Sequence, residues 1–215
     1  MTIKRLLVAV SISTVLFMIS IMIIFVQFKD KQNYKSYVSA KLSPSLSNFV
    51  TAVLANEEIL HQYMNSGKKE MPPDQAGALC SNFQSIGREF EEMLQASNLL
   101  KKANGVQTNP ITANAAQDIH FFLARQLIGN GVLGDCTPAK STLTLNEEQV
   151  KKMKGIYEIS KQWSSMAKKR IPEAAPNGAG DVDWNLVVND NVWVQLVKDY
   201  SAYANESGMG TDVFF

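Results

Sequence analysis

Histidine and cysteine are scarce in this sequence, and their scarcity restricts the chemistry of the protein. The 215 residues include two cysteines and two histidines. Cys80 and Cys136 are too far apart in sequence for a CxxC redox or zinc motif. Glu58 and His61 have the spacing of helical metal ligands, but a ferritin-like di-metal bundle needs that motif twice. The sequence therefore predicts no metal site and no cofactor.

Complete motifs for phosphate binding and nucleophilic catalysis are also missing. The glycine-containing stretch at 177–181 lacks the Lys-Ser/Thr pair of a phosphate-binding loop. Ser66 and Lys69, like Ser165 and Lys168, have the serine–lysine spacing of penicillin-recognising enzymes, but no Lys-Thr-Gly accompanies them. We therefore predict a protein that is not an enzyme.

The chain also lacks an excess of charge of either sign. It carries 21 basic and 20 acidic residues, and beyond residue 28 the counts are 19 and 20. A nucleic-acid-binding domain needs a large basic excess to neutralise phosphates. We therefore expect no nucleic-acid partner.

One long apolar run is present, at residues 6–26, and it contains no charged side chain. As a helix it measures about 31 Å, which matches a hydrocarbon core of about 30 Å. Its few serines and its threonine can bond to the helix backbone. The run predicts a single transmembrane helix. The alternative is a cleavable signal peptide and a secreted protein, but the apolar run is long and a poor cleavage site follows it.

We expect the short amino-terminal flank to be cytoplasmic and the bulk of the chain to lie outside the cytoplasm at the cell membrane. Lys4 and Arg5 precede the run, and Lys29, Lys31 and Lys35 follow it, so the positive-inside rule alone is nearly balanced. The short flank favours this orientation, which is typical of a signal anchor.

The fold class predicted is mainly α, with one transmembrane helix followed by an antiparallel up-and-down bundle of four to five helices. Two neighbouring segments show a seven-residue apolar repeat and are joined by a short Gly/Pro loop, which predicts a helical hairpin. The repeat positions are Leu42, Leu46, Phe49, Val53, Asn56, Leu60 and Tyr63, then Leu79, Phe83, Ile86, Phe90, Met93, Ser97 and Leu100.

Four regions follow from this pattern. Residues 1–28 are the cytoplasmic tip and anchor, 29–43 a stalk or helix continuation, 44–206 the extracytoplasmic bundle and 207–215 a flexible tail. Pro44 predicts a kink or helix restart at the second boundary.

Local signals define the later helices. Asn146 and Gln149 predict a capping box at the start of a helix. The stretch at 192–197 is β-branched and aromatic enough for a strand, but it has no partner strand, so we predict a helix over 183–206, with Leu186 and Trp193 on its buried side.

Cys80 and Cys136 fall at the same, membrane-distal end of the predicted bundle. This placement in an exported domain predicts a candidate disulfide, and two buried free thiols are the alternative. Lys168, Lys169 and Arg170 form the basic last turn of the fourth helix. They are a candidate membrane-surface contact, with a solvated helix end as the alternative.

The arrangement of an anchor followed by a helical body loosely resembles the outer parts of bacterial chemoreceptors, although this sequence shows no second membrane segment. We predict a membrane-anchored, non-enzymatic interaction module. Its expected partners are the lipid bilayer and another envelope protein or a second copy. A helical domain that binds small molecules in an apolar cavity is the alternative.

Overall fold

A computed structural model describes residues 3–99, 108–129, 135–137, 141–176, 178 and 181–209, and in the first helix it describes the side chains at 17–29, 32, 36 and 39–66. The fold is mainly helical, as predicted. Its helices are α1 (Ile3–Ser66), α2 (Pro73–Leu99), α3 (Ile111–Phe122), α4 (Glu147–Arg170), α5 (Trp184–Asn189) and α6 (Val192–Glu206). A π-helical turn, Leu123–Leu127, follows α3, and two short strands are β1 (Glu70–Met71) and β2 (Leu143–Thr144).

Helix α1 continues through Pro44, so the predicted restart at this proline is wrong. Proline removes one backbone hydrogen bond and normally costs about 3 kcal/mol inside a helix. Leu42 and Leu46 on either side of it are buried, and this packing outweighs the local cost. The helix ends at Ser66, and Gly67 takes the left-handed conformation at φ 63°, as the sequence indicates.

The chain divides into two compact units, Met1–Lys41 and Leu42–Phe215. In the first unit, large apolar side chains at residues 17–28 are exposed. Among the residues that the structure describes, no helix has both the length and the apolarity needed to cross a bilayer.

The second unit has a core built on the predicted seven-residue repeats. All seven repeat positions of α1 are buried, and so are the six positions of α2 from Leu79 to Ser97, which confirms these core predictions. Leu100 lies outside the described residues. Two contacts show that helices α1 and α2 are antiparallel. Ser45 bonds Glu92, and the later residue Phe49 packs on the earlier residue Phe90.

Strands β1 and β2 form an antiparallel pair that the sequence analysis did not predict. Glu70 lies opposite Thr144, and Met71 lies opposite Leu143. Each strand has only two residues, too few for a readable alternation of apolar and polar side chains. Their pairing joins the α1–α2 connection to the segment before α4.

The later helices begin largely as predicted. Asn146 and Gln149 form the capping box at the start of α4. The segment at 192–197 is helical, which confirms the prediction of a helix instead of a strand there. However, the predicted single element is divided into α5 and α6 at Asn191, whose φ is 60°. Leu186 is 58% exposed, so its predicted burial is wrong.

The predicted tail is described only in part. Met209 is buried, although we expected it to belong to the flexible tail. Residues 210–215 lie outside the described residues.

An aromatic cluster centred on Tyr200 joins four helices. The Tyr200 ring lies 5.1 Å from the Phe49 ring, 6.1 Å from Phe90 and 5.9 Å from Trp163. These rings come from α6, α1, α2 and α4 respectively. The Tyr200 hydroxyl donates a 2.6 Å hydrogen bond to the backbone carbonyl of Trp163. Burial raises the pKa of Tyr200 well above its usual value of 10, and the nearby Asp199 carboxylate adds to this shift.

Replacing Tyr200 by Phe should lower stability at pH 7 by about 1 kcal/mol, the net value of a lost hydrogen bond. It should also weaken the alkaline loss of stability. Because the pKa of Tyr200 is raised in the folded state, the contribution of Tyr200 to stability is complete below pH 10. Above pH 10 this contribution falls by about 1.4 kcal/mol per pH unit, because the phenol ionises in the unfolded chain.

The measurement is urea unfolding of the full-length protein in detergent at several pH values from neutral to alkaline. Comparing Tyr200→Phe with the wild type cancels the titration of the other tyrosines and lysines. Equal alkaline slopes in the two proteins would contradict the assignment to Tyr200.

Candidate functional site

Cys80 and Cys136 form a disulfide, which agrees with the candidate pairing from the sequence. Their Cα atoms are 5.5 Å apart, within the usual range for a cystine. Cys80 is fully buried in the second turn of α2, and Cys136 is half-buried in the segment 135–137. The bridge therefore holds the segment 135–137 against α2.

Helices α2 and α3 approach closely beside this bridge because of Gly87. A Cβ atom at that position would lie 3.0 Å from the Gln117 side chain and 3.3 Å from the Ala113 carbonyl oxygen. Gly87 lies seven residues after Cys80, and Ala113 lies seven residues before His120, so each pair shares one helix face. The close antiparallel approach brings His120 to Cys80.

His120 contacts both sulfur atoms of the cystine. Its Nδ1 atom lies 3.4 Å from Cys80 Sγ and 3.6 Å from Cys136 Sγ. The same nitrogen lies 3.1 Å from the Cys80 backbone carbonyl oxygen, to which an Nδ1–H would donate. Only 1% of His120 is exposed, so the imidazole is almost completely shielded from water where it contacts the cystine.

The backbone around Cys136 is shaped by its two neighbours. Asp135 accepts hydrogen bonds from the backbone N–H and the hydroxyl of Thr137, at 2.8 and 2.5 Å. These bonds stabilise the carboxylate and lower the pKa of Asp135, the hydroxyl having the larger effect. They close a local turn with Cys136 at its centre. The π-helical turn begins three residues after His120, and such turns often occur near functional sites.

Two of the three cations at the end of α4 are paired with carboxylates of the protein. Lys168 lies 3.7 Å from Glu57. Arg170 donates two hydrogen bonds to Asp199, at 2.7 and 2.9 Å, and this contact raises the pKa of the guanidinium. Lys169 is exposed. A contact of this turn with the membrane surface stays a prediction.

His61 is held in a surface hydrogen-bond network. Its Nδ1 atom lies 2.8 Å from the Tyr157 hydroxyl, and its Nε2 atom lies 2.8 Å from the Asn65 amide nitrogen. Glu58 accepts a hydrogen bond from Gln62 instead of approaching His61. The hydrogen bonds of Glu58 and His61 therefore go to different partners.

In both serine–lysine pairs, the lysine contacts a carboxylate of the protein. Lys69 lies 3.4 Å from Glu147, and Lys168 contacts Glu57 as described. The Ser66 hydroxyl donates to the Tyr63 carbonyl oxygen at 2.7 Å. Neither lysine is positioned as a free base beside its serine.

A cleft of about 320 Å³ lies beside β1, at the end of α1. Its lining combines polar and apolar surface in similar amounts and includes Tyr63, whose buried hydroxyl has no hydrogen-bond partner within the described part of the chain. Burial raises the pKa of this phenol. The hypothesis of a small-molecule cavity stays a prediction.

These features define a mainly helical protein whose second unit is closed by one disulfide with a histidine against it. Comparison of this chain with protein-family models, with curated proteins and with solved structures finds no match.

His120 was not among the functional residues predicted from the sequence. His120 contacts Cys80 and Cys136, which are 40 and 16 positions away in the chain. One signal was available, a second face of small residues on α2 at Ala76, Cys80 and Gly87, which indicates close approach of another helix.

Replacing Cys136 by Ser should lower the free energy of unfolding by about 4 kcal/mol, because the unfolded chain regains the freedom of a long loop. Chemical unfolding of the oxidised full-length protein in detergent measures this loss. A phosphine reductant should destabilise the wild type to the same extent and leave Cys136→Ser unchanged. If the reductant does not alter the stability of the wild type, the disulfide is not present.

Proposed function

We propose that this chain is a single-pass, membrane-anchored module whose helical body lies outside the cytoplasm and binds another envelope protein or a second copy of itself. It performs no catalysis of its own. Two features support location at the membrane, a third supports placement of the body outside the cytoplasm, and a fourth supports its binding role.

The apolar surface of α1 is the observation that carries the proposal. Phe17, Met18, Met22, Ile24 and Phe25 are each between 65 and 69% exposed. They cover about half of the helix circumference, and the other exposed apolar side chains at 19–26 extend this surface over most of the remainder, so the broad polar face of a surface-lying helix is missing from this part of α1. Contiguous exposed apolar surface of this kind marks a contact with lipid or protein.

The run at 6–26 supplies the length for a bilayer crossing, about 31 Å as a helix. The side chains at 6–16 lie outside the described residues, and their apolar character is known from the sequence. The charged flanks on both sides of the run are typical of a helix held in the bilayer.

The disulfide supports placement of the body outside the cytoplasm. Disulfides persist in oxidising compartments and are rare where thiol reductants are abundant. Because Cys80 and Cys136 both belong to the Leu42–Phe215 unit, the bridge supports placement of that unit as a whole on the oxidising side.

Helix α4 offers a basic face for a partner. It contains seven basic and three acidic residues, although the chain beyond residue 28 is nearly neutral. Lys151, Lys154 and Lys161 are exposed, and no carboxylate pairs with them within the described residues. Such a face steers and orients an acidic protein surface. The remaining chain is correspondingly acidic, so a second copy also satisfies this requirement.

The anchor is tested by placing arginine at Phe17 and Ile21. Each arginine near the middle of a membrane helix costs about 3 kcal/mol. The double variant should leave the alkali-resistant membrane fraction, whereas a Phe17→Leu, Ile21→Leu control should remain there. A carboxy-terminal reporter that is active only outside the cytoplasm should be active on the wild type. A wild-type chain that is washed off by alkali, or a reporter that is active only in the cytosol, would contradict the proposal.

The contact face is tested by charge reversal with a photo-cross-linking residue at Gln162, an exposed position of α4. Lys154→Glu with Lys161→Glu should reduce the cross-linked adduct at least about fivefold, and added salt should reduce the wild-type adduct, because exposed charges are screened. Lys41→Glu with Lys68→Glu changes the net charge equally at other exposed sites and should have no effect. An adduct that is undiminished by the α4 reversal would exclude this face.

A further inference from the structure

We propose that Cys80, His120 and Cys136 form a redox-gated zinc site, which is closed while the cystine is intact and binds one Zn²⁺ ion once the cystine is reduced. The donor atoms are two sulfurs and one imidazole nitrogen, and all lie within 4.8 Å of one another. They are ligand types that zinc commonly takes in proteins.

The distances between these atoms fit the edges of a zinc tetrahedron. With Zn–S near 2.3 Å and Zn–N near 2.0–2.1 Å, a tetrahedral site has a nitrogen–sulfur edge of about 3.6 Å. His120 Nδ1 already lies 3.4 Å from Cys80 Sγ and 3.6 Å from Cys136 Sγ. Two of the three edges therefore exist in the oxidised protein.

The third edge is the one that reduction changes. A cystine holds its sulfurs about 2.05 Å apart, whereas two thiolates on one zinc ion are about 3.8 Å apart. Reduction must move the sulfurs apart by about 1.7 Å in total. Cys136 has the freedom to supply this movement because it lies in a half-buried loop segment, while Cys80 is fixed in α2.

The switch from cystine to zinc site conserves electrons and protons. A dithiol reductant gives two electrons and two protons to the cystine, whose S–S bond breaks, and the dithiol itself becomes a disulfide. Zinc then displaces one proton from each thiol, and both protons leave to water. Two thiolates and Zn²⁺ sum to zero charge, which lowers the cost of holding the ion at a site as buried as His120.

His120 changes its hydrogen bonding in the same step. In the oxidised protein Nδ1–H can donate to the Cys80 carbonyl oxygen, 3.1 Å away. To bind zinc, Nδ1 must present its lone pair, so the proton moves to Nε2. Three protein ligands leave the fourth tetrahedral position for water or a partner's ligand.

The test uses full-length protein in detergent, reduced anaerobically with a phosphine that is then removed, and titrated with Zn²⁺ against a chromophoric chelator. The reduced protein should bind one zinc ion per chain with sub-micromolar affinity, and zinc should raise its thermal midpoint. The oxidised protein should bind none. Cobalt substitution should give the intense visible absorption of a tetrahedral thiolate site.

Matched variants separate the three-ligand site from nonspecific thiol chelation. His120→Asn keeps a donor for the Cys80 carbonyl but cannot replace the imidazole, so zinc affinity should fall at least about tenfold, since even loss of a group behind a ligand costs that much. His61→Asn, at the other histidine, should bind like the wild type. Zinc affinity that is equal in the oxidised and reduced proteins, or unchanged in His120→Asn, would overturn the proposal. Failure of the reduced wild type to bind zinc, whether folded or unfolded by circular dichroism, would also overturn it.

Discussion

The packing of four helices around Tyr200 is the constraint on which the rest of the second unit depends. Its ring contacts aromatic rings of α1, α2 and α4, and its hydroxyl bonds the backbone of α4. Aromatic side chains bury large areas, so a few of them dominate the packing energy of a small domain. Because one buried phenol meets all these helices, their spacing is set at a single place, and α2 is held in the position from which it meets α3.

The second constraint is the close approach of α2 and α3, and the candidate site results from it. Gly87 removes the side chain that would separate the two helices. One helix turn is about 5.4 Å, so Cys80 and His120 meet about two turns from that contact. The cystine then fixes the segment 135–137 against both helices. A stabilising bridge and a metal-ligand geometry are therefore two properties of one cluster, and the redox state of the compartment selects between them.

The seven-residue repeats predicted the buried faces of α1 and α2 because helix periodicity is a local property, and Asn146 with Gln149 predicted the start of α4 for the same reason. Where the prediction failed, packing opposed a local preference. Pro44 lies inside α1 because its neighbours are buried. Leu186 is exposed because Asn191 turns the chain between α5 and α6, which changes the face that α5 presents.

The sequence by itself determined the apolar run at 6–26, the helical character and the heptad cores, because each depends on residues close together in the chain. It also restricted the cystine to one pairing, since only two cysteines exist. Only the tertiary structure decided that His120 lies against that cystine and that β1 pairs with β2. These contacts join residues 16 to 74 positions apart. They depend on how helices pack in space, which no local pattern of side chains encodes.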